Sequence, residues 1–106
     1  MIVLASFVSF TEIFYIKFQE HGEKEAGRRL QLMNKRSMTR VESFPELGIT
    51  AGRLKALYRI SFADAWVAAT AVFYDAVLVH KDPEFELLKE EVKLLTLPYK
   101  TKDGLP

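Results

Sequence analysis

The chain has 106 residues, of which 49% are hydrophobic and 12% aromatic, so it has enough apolar side chains to fold around one core and is not expected to be disordered. Its 15 basic and 14 acidic residues give a formal charge of +1, so net charge alone does not indicate a polyanionic partner. The absence of cysteine excludes disulfides, thiolate metal sites and cysteine nucleophiles, which leaves carboxylates and two histidines as metal ligands.

The first third of the chain predicts a strand followed by two helices. Residues 2–7 are typical of a short buried strand. The motif Ser9-x-x-Glu12 resembles a capping box, which predicts a helix from there to about residue 20, ended by Gly22. Residues 23–36 repeat apolar positions at helical spacing and predict a surface helix with a basic outer face.

The middle of the chain predicts a short strand and two further helices. Residues 38–44 indicate the strand, and Pro45 favours the start of a helix that continues to about residue 59. Ser61-x-x-Asp64 is a second possible capping box, at the start of a helix rich in alanine and valine. Those small residues favour close packing against a sheet.

The last third predicts two strands separated by a helix start. Residues 77–79 form an apolar run typical of a buried strand, and Asp82-Pro83 is typical of a helix N-cap and first turn. Residues 92–97 indicate the final strand, and residues 99–106 a flexible tail. Alternating strands and helices predict a single α/β domain over residues 1–106 with a mostly parallel sheet, whose ligand site lies at the carboxyl ends of the strands.

No membrane-spanning segment or signal peptide is predicted. Residues 61–79 are apolar, but Asp64 and Asp75 would be costly inside a bilayer. The first ten residues are apolar too, yet no basic segment precedes them and Glu12 follows. We therefore expect a cytoplasmic protein.

Three acidic residues fall at predicted junctions between a strand or loop and the following helix, namely Glu12, Asp64 and Asp82. Each one, taken alone, is explained at least as well as a helix-capping residue. Together they would lie at the predicted ligand edge, where convergent carboxylates suit Mg²⁺ or Mn²⁺. The three acids are therefore candidate metal ligands.

The carboxy-terminal half resembles a PIN domain over three segments: ISFADAWVAATA (60–71), AVLVHKDPEF (76–85) and LTLPYK (95–100). The segment VSFTE (8–12) is similar to the same family's motif around its second acid. The resemblance implies a three-layer α/β/α fold and cleavage of RNA by water activated on one or two Mg²⁺ or Mn²⁺ ions. It assigns Glu12, Asp64 and Asp82 to metal binding and catalysis.

The same resemblance implies possible partners and one missing part. Many members are toxins neutralised by an antitoxin protein, so RNA, an antitoxin and a second copy of the chain are the expected partners. The family's first acid ends an amino-terminal strand that has no counterpart here, which predicts an amino-terminally truncated PIN-like domain. The family often has threonine where His80 stands, and we expect His80 to be a solvated loop residue.

Two other groups of side chains have open interpretations. A basic cluster is either an RNA-backbone track or a solvated helix face; it consists of Lys24, Arg28, Arg29, Lys35, Arg36 and Arg40. Phe14, Tyr15 and Phe18 are expected to be core or dimer contacts.

Three functions compete at this point. The leading one is a divalent-metal-dependent endoribonuclease. The second is a catalytically inactive PIN-like fragment that binds an antitoxin-like or identical partner through its amino-terminal helices. The third is an unrelated α/β domain in which the three acids only cap helices.

Overall fold

The computed structural model describes residues 3–35, 38–80 and 82–96, with the side chain of Thr96 excepted. In chain order the elements are β1 (Leu4–Ser6), α1 (Phe7–His21), α2 (Glu23–Asn34), β2 (Thr39–Val41), α3 (Pro45–Leu57), α4 (Phe62–Phe73), β3 (Val77–His80), a 3₁₀ helix (Pro83–Leu88) and β4 (Lys93–Thr96). The predicted tail at residues 99–106 lies outside the described residues.

The chain divides into two compact units, Met1–Ser43 and Phe44–Pro106. We call them the amino-terminal unit and the carboxy-terminal unit. Whether they act as the one predicted domain over residues 1–106 stays a prediction. No helix among the described residues is long and apolar enough to span a membrane.

In the amino-terminal unit, β1 and β2 pair in parallel, with Leu4 opposite Thr39 and Ser6 opposite Val41. Parallel neighbours need a crossover connection, and α1 and α2 provide it. Gly22 separates the two helices with φ of +90°, a backbone angle that glycine adopts without strain. This sharp change of direction lets α1 and α2 pack as an antiparallel pair.

The start of α1 differs from its prediction. Ser6 is the N-cap, and its hydroxyl accepts a hydrogen bond of 3.3 Å from the Val8 amide. Ser9 and Glu12 both lie inside α1, so the predicted capping box between them is wrong. The reason is that β1 pairs over only three residues, so the chain is free to turn into the helix earlier than its apolar run suggests.

In the carboxy-terminal unit, α3 packs against α4 through apolar side chains. Leu47 and Leu54 of α3 are fully buried, and α4 contributes the buried small residues Ala65, Ala68 and Ala69. The two helices approach closely beside Gly48, where an added Cβ would lie 3.4 Å from the Trp66 ring. Here the small residues on α4 have the packing role that the sequence predicts, although their partner is a helix.

The second strand pair, β3 and β4, is also parallel, with Val77 opposite Lys93 and His80 opposite Thr96. The segment before β4 is tied to α3 by Glu91. Its carboxylate accepts two hydrogen bonds from the Arg53 guanidinium, at 3.1 and 3.2 Å, and one from the Tyr58 hydroxyl at 3.1 Å. The predicted α/β class with parallel strand pairing is therefore confirmed, with strands shorter than predicted.

The packing of α3 predicts a clear difference between two of its apolar residues. Leu47→Ala should lower the free energy of unfolding by about 2–5 kcal/mol, because it leaves a cavity in a fully buried position. Ile49→Ala is the matched control, since Ile49 is 74% exposed in the same helix. Urea denaturation measures both, and equal losses for the two variants would contradict the described core.

Candidate metal centre

Asp64 and Asp82 are both fixed by helix N-terminal geometry in the carboxy-terminal unit. Asp64 lies in the first turn of α4, where its backbone N–H donates to the hydroxyl of the N-cap Ser61 at 3.1 Å. Asp82 is itself the N-cap of the 3₁₀ helix, and its carboxylate accepts from the Glu84 N–H at 2.9 Å. The capping roles predicted for Ser61 and Asp82 are confirmed, although the helix after Asp82 is 3₁₀ and not α.

The structure brings these two acids together with a third one. One carboxylate oxygen from each of Asp64, Asp82 and Glu84 lies within 4.8 Å of the others. Asp64 and Glu84 are half-buried, whereas Asp82 is exposed. We call these three residues the acidic cluster.

Glu84 was not predicted as a site residue. The only signal for it was its place two residues after Asp82, in the first turn of a helix, where acidic residues are common for reasons of capping and dipole. Its contribution depends on the geometry of the 3₁₀ turn. That turn returns Glu84 to the side of α4 on which Asp64 lies.

The acidic cluster concentrates negative charge, and its pKa values reflect this. Burial, followed by the hydrogen bond and charge of Glu84 and the charge of Asp82, raises the pKa of Asp64 to about 7. Hydrogen bonds from the Asp64 side chain and from the Ser61 backbone lower the pKa of Glu84. Without a cation, the protonated form of Asp64, hydrogen-bonded to a charged Glu84, is therefore favoured below a pH of about 7.

The hydrogen bond from the Ser61 backbone to Glu84 also bears on whether Asp64 is only a helix-capping residue. In a complete capping box the acid three residues after the N-cap accepts the N-cap's backbone N–H. Here Glu84 accepts from Ser61, while the hydrogen bond between Asp64 and Ser61 involves the serine side chain. The Asp64 carboxylate is thus not occupied by the reciprocal half of a capping box.

Glu12 lies in the amino-terminal unit, in the second turn of α1. It is half-buried, and that burial raises its pKa. Because the helix begins at Phe7, Glu12 is too far along α1 to cap its start. Its predicted role as a metal ligand together with Asp64 and Asp82 stays a prediction.

His80 is placed differently from its prediction as a solvated loop residue. It is the last residue of β3 and is buried, with the Phe85 ring centroid 5.3 Å away and its Nε2 3.6 Å from a Glu86 carboxylate oxygen. The prediction was wrong because β3 continues one residue beyond the apolar run. Alternation along the strand then turns His80 inward and leaves Val77 and Val79 exposed.

The predicted basic cluster is partly neutralised by neighbouring acids. Arg28 and Arg29 both bind Glu25, and their hydrogen bonds lower the pKa of that carboxyl to about 2. Arg40 forms an ion pair with Glu42 and lies over the Phe10 ring, 4.5 Å from its centroid. These contacts disfavour a continuous RNA track through Arg28, Arg29 and Arg40, whereas Arg36 lies outside the described residues.

The acidic cluster fits a hard divalent cation. Mg²⁺ and Mn²⁺ prefer carboxylate oxygens, and three acids at this spacing supply them on one side of a site. Burial first, and then the hydrogen bond and charge of Glu84 and the charge of Asp82, favour a proton on Asp64 below a pH of about 7. A divalent cation would replace that proton.

The chain thus has an α/β fold with an acidic cluster at the starts of two helices of the carboxy-terminal unit. Residues 2–91 match the sequence model of the PIN domain. The chain therefore belongs to the PIN domain family, as its motifs predicted. No curated protein matches the chain in sequence.

Two solved structures resemble this one in fold. The structure of VapBC-1 from nontypeable Haemophilus influenzae superimposes with a TM-score of 0.73 and 17% identity, covering 90% of this chain and 74% of that one. That of VapBC2 from Rickettsia felis, bound to a DNA fragment from their promoter, gives a TM-score of 0.73 and 15% identity with the same coverage. At these identities the likeness establishes the α/β fold alone.

The raised pKa of Asp64 predicts that, in metal-free buffer, the difference in stability between the wild type and Asp64→Asn depends on pH. The folded state holds a proton on Asp64 up to pH of about 7, whereas the unfolded chain releases it near 3.8. The wild-type chain should therefore lose stability relative to Asp64→Asn as the pH rises between these values, since the folded state binds more protons there. Thermal melts in EDTA at a series of pH values measure this difference.

The matched control is Glu90→Gln, because Glu90 is an exposed acid outside the acidic cluster. Its melting temperature relative to the wild type should not follow the same pH trend. A constant or rising advantage of the wild type over Asp64→Asn would contradict the described charge crowding.

Proposed function

We propose that the chain is a divalent-metal-dependent endoribonuclease of the toxin-like PIN kind, which hydrolyses RNA phosphodiester bonds in the cytoplasm. The observation that carries this proposal is the meeting of Asp64, Asp82 and Glu84 within 4.8 Å in a member of the PIN domain family. Helix capping accounts for the position of Asp82 and for the contact of Glu84 with the Ser61 backbone, but Asp64 does not make the reciprocal bond of a capping box.

Each residue of the acidic cluster has a distinct part in the proposal. Asp64 would bind Mg²⁺ or Mn²⁺ after losing its proton, and Glu84 would bind through the charge that the Ser61 amide stabilises. Asp82 would offer its exposed carboxylate while one oxygen stays bonded to the Glu84 N–H. Glu12 remains a proposed further ligand from α1.

When bound, the cation supplies an acidified water as nucleophile and polarises the phosphate. The side chains of the acidic cluster would hold and orient the cation, and none of them needs to form a covalent intermediate. Because Asp64 and Glu84 are half-buried, their charges are less screened than those of surface acids. This favours tight attraction of a divalent cation.

Cleavage of RNA with and without Mg²⁺ or Mn²⁺ tests the proposal. Asp64→Asn, Asp82→Asn and Glu84→Gln should each reduce the metal-dependent cleavage rate by at least about 100-fold, since each removes a direct ligand and even outer-shell changes cost 10–100-fold. Glu90→Gln should cleave like the wild type. The nuclease proposal fails if cleavage needs no metal, or if the Asp64→Asn and Asp82→Asn variants keep it.

A second candidate function, protein binding through α1, is favoured by one observation. Tyr15, Ile16 and Phe18 are exposed on this helix, at 48%, 36% and 45%. Phe18 also stacks edge-to-face on Phe14, with the ring centroids 6.0 Å apart, which preforms an aromatic surface. An antitoxin-like protein or a second copy of the chain would cover this surface, either alongside nuclease activity or in an inactive protein.

The partner surface can be tested separately from cleavage. Phe18→Asp should abolish self-association in light scattering, or binding to a co-expressed antitoxin-like protein, because it places a charge in an apolar contact. Lys24→Gln, on α2, is the control, because Lys24 is exposed and the substitution changes the net charge by the same amount, −1. A Phe18→Asp chain that associates as tightly as the wild type would exclude this surface.

A further inference from the structure

Ser61 contacts two of the three residues of the acidic cluster. Its hydroxyl accepts a hydrogen bond of 3.1 Å from the backbone N–H of Asp64. Its own backbone N–H donates to the carboxylate of Glu84, to which its hydroxyl also donates. Because Asp64 belongs to α4 and Glu84 to the 3₁₀ helix, Ser61 joins the two elements that carry the cluster.

The third acid is connected to the same contacts. The Asp82 carboxylate accepts from the backbone N–H of Glu84 at 2.9 Å. A continuous series of hydrogen bonds therefore connects Ser61 with all three acids. Carboxylates within 4.8 Å of one another repel, so their convergence depends on neighbouring groups that hold them. Ser61 can do this without adding charge to the site.

The contact between Ser61 and Glu84 goes beyond ordinary helix capping. In a capping box, the acid three residues after the N-cap binds the N-cap's backbone N–H, and that residue here is Asp64. Glu84, from a different element, takes this place instead. The exchange holds the Glu84 carboxylate beside α4, and it leaves the Asp64 carboxylate without that bond.

We propose that Ser61 is a positioning residue of the metal centre, which holds Glu84 through its backbone N–H and Asp64 through its hydroxyl so that both carboxylates bind one divalent cation. The proposal rests on the proposed function in that Asp64 and Glu84 are metal ligands, but it does not require RNA cleavage. Groups that hydrogen-bond metal-binding carboxylates fix their orientation, and loss of such a group typically lowers metal affinity about 10–100-fold.

The two contacts of Ser61 can be removed separately. Ser61 is exposed, so a substitution there leaves no cavity in the core. Ser61→Ala removes the hydroxyl and keeps the backbone N–H. Ser61→Pro removes both, and the φ of −67° at this position is already the angle that proline requires. Ser61→Thr keeps both groups.

Mn²⁺ binding measures the proposed role without RNA. The full chain, freed of metal, is titrated with Mn²⁺ while the electron paramagnetic resonance signal of the free ion is recorded, at a pH above the Asp64 pKa of about 7. Ser61→Ala should raise the dissociation constant of Mn²⁺ about tenfold, and Ser61→Pro about 100-fold. Ser61→Thr should bind Mn²⁺ like the wild type, because threonine offers the same hydroxyl and N–H.

Ser6→Ala is the matched control for loss of a helix cap. Ser6 is the N-cap of α1, in the amino-terminal unit, and its hydroxyl likewise accepts a backbone N–H. Ser6→Ala and Ser61→Ala should both lower the melting temperature in EDTA, because both remove a cap. Weaker Mn²⁺ binding is expected for Ser61→Ala and not for Ser6→Ala.

The outcomes separate the role of Ser61 from the proposed function. Mn²⁺ binding that is weakened in Ser61→Ala and restored in Ser61→Thr supports the positioning role, even if the chain cleaves no RNA. Equal Mn²⁺ affinity in the wild type and Ser61→Ala, or an equal loss in Ser6→Ala, overturns this role and leaves the metal centre standing. A wild-type chain that binds no Mn²⁺ overturns both.

Discussion

The candidate metal centre depends on one constraint, the convergence of Asp64, Asp82 and Glu84. Carboxylates within 4.8 Å of one another are unfavourable, so other contacts have to hold their backbones in place. Ser61 fixes the start of α4, Asp82 fixes the start of the 3₁₀ helix, and buried alanines hold α4 against α3. The shared proton on Asp64 relieves the repulsion in the metal-free chain.

The sequence predicts those parts of the site that depend on local signals. Ser61 and Asp82 are N-cap residues in a recognisable context, so the two helix starts and the acids beside them could be placed correctly. The position of Glu84 could not be predicted, because its approach to Asp64 depends on whether the turn after Asp82 is 3₁₀ or α. The position of His80 was wrongly predicted because β3 continues one residue beyond the apolar run, so the alternation of the strand includes His80 and places it on the buried face.

The start of α1 shows a different limit. The sequence contains two serines, Ser6 and Ser9, that could each cap this helix, and only the second is followed by a glutamate at capping-box spacing. The structure uses the first, because strand pairing over three residues determines where the helix begins. Long-range pairing therefore overrides a stronger local motif. The overall α/β class was more robust, since it depends on the alternation of elements and not on their exact ends.

The clamp formed by Arg53, Tyr58 and Glu91 has a consequence for how related sequences can diverge. Glu91 follows the 3₁₀ helix that carries Glu84, and α3 holds it from the other side. Loss of Arg53 alone would leave the Glu91 carboxylate, whose side chain is 22% exposed, without its guanidinium partner. Glu91 would then contact only Tyr58, whose pKa it raises. Substitutions at positions 53 and 91 are therefore expected to occur together among homologues. This pair should appear as a covarying contact, even though neither residue belongs to the acidic cluster.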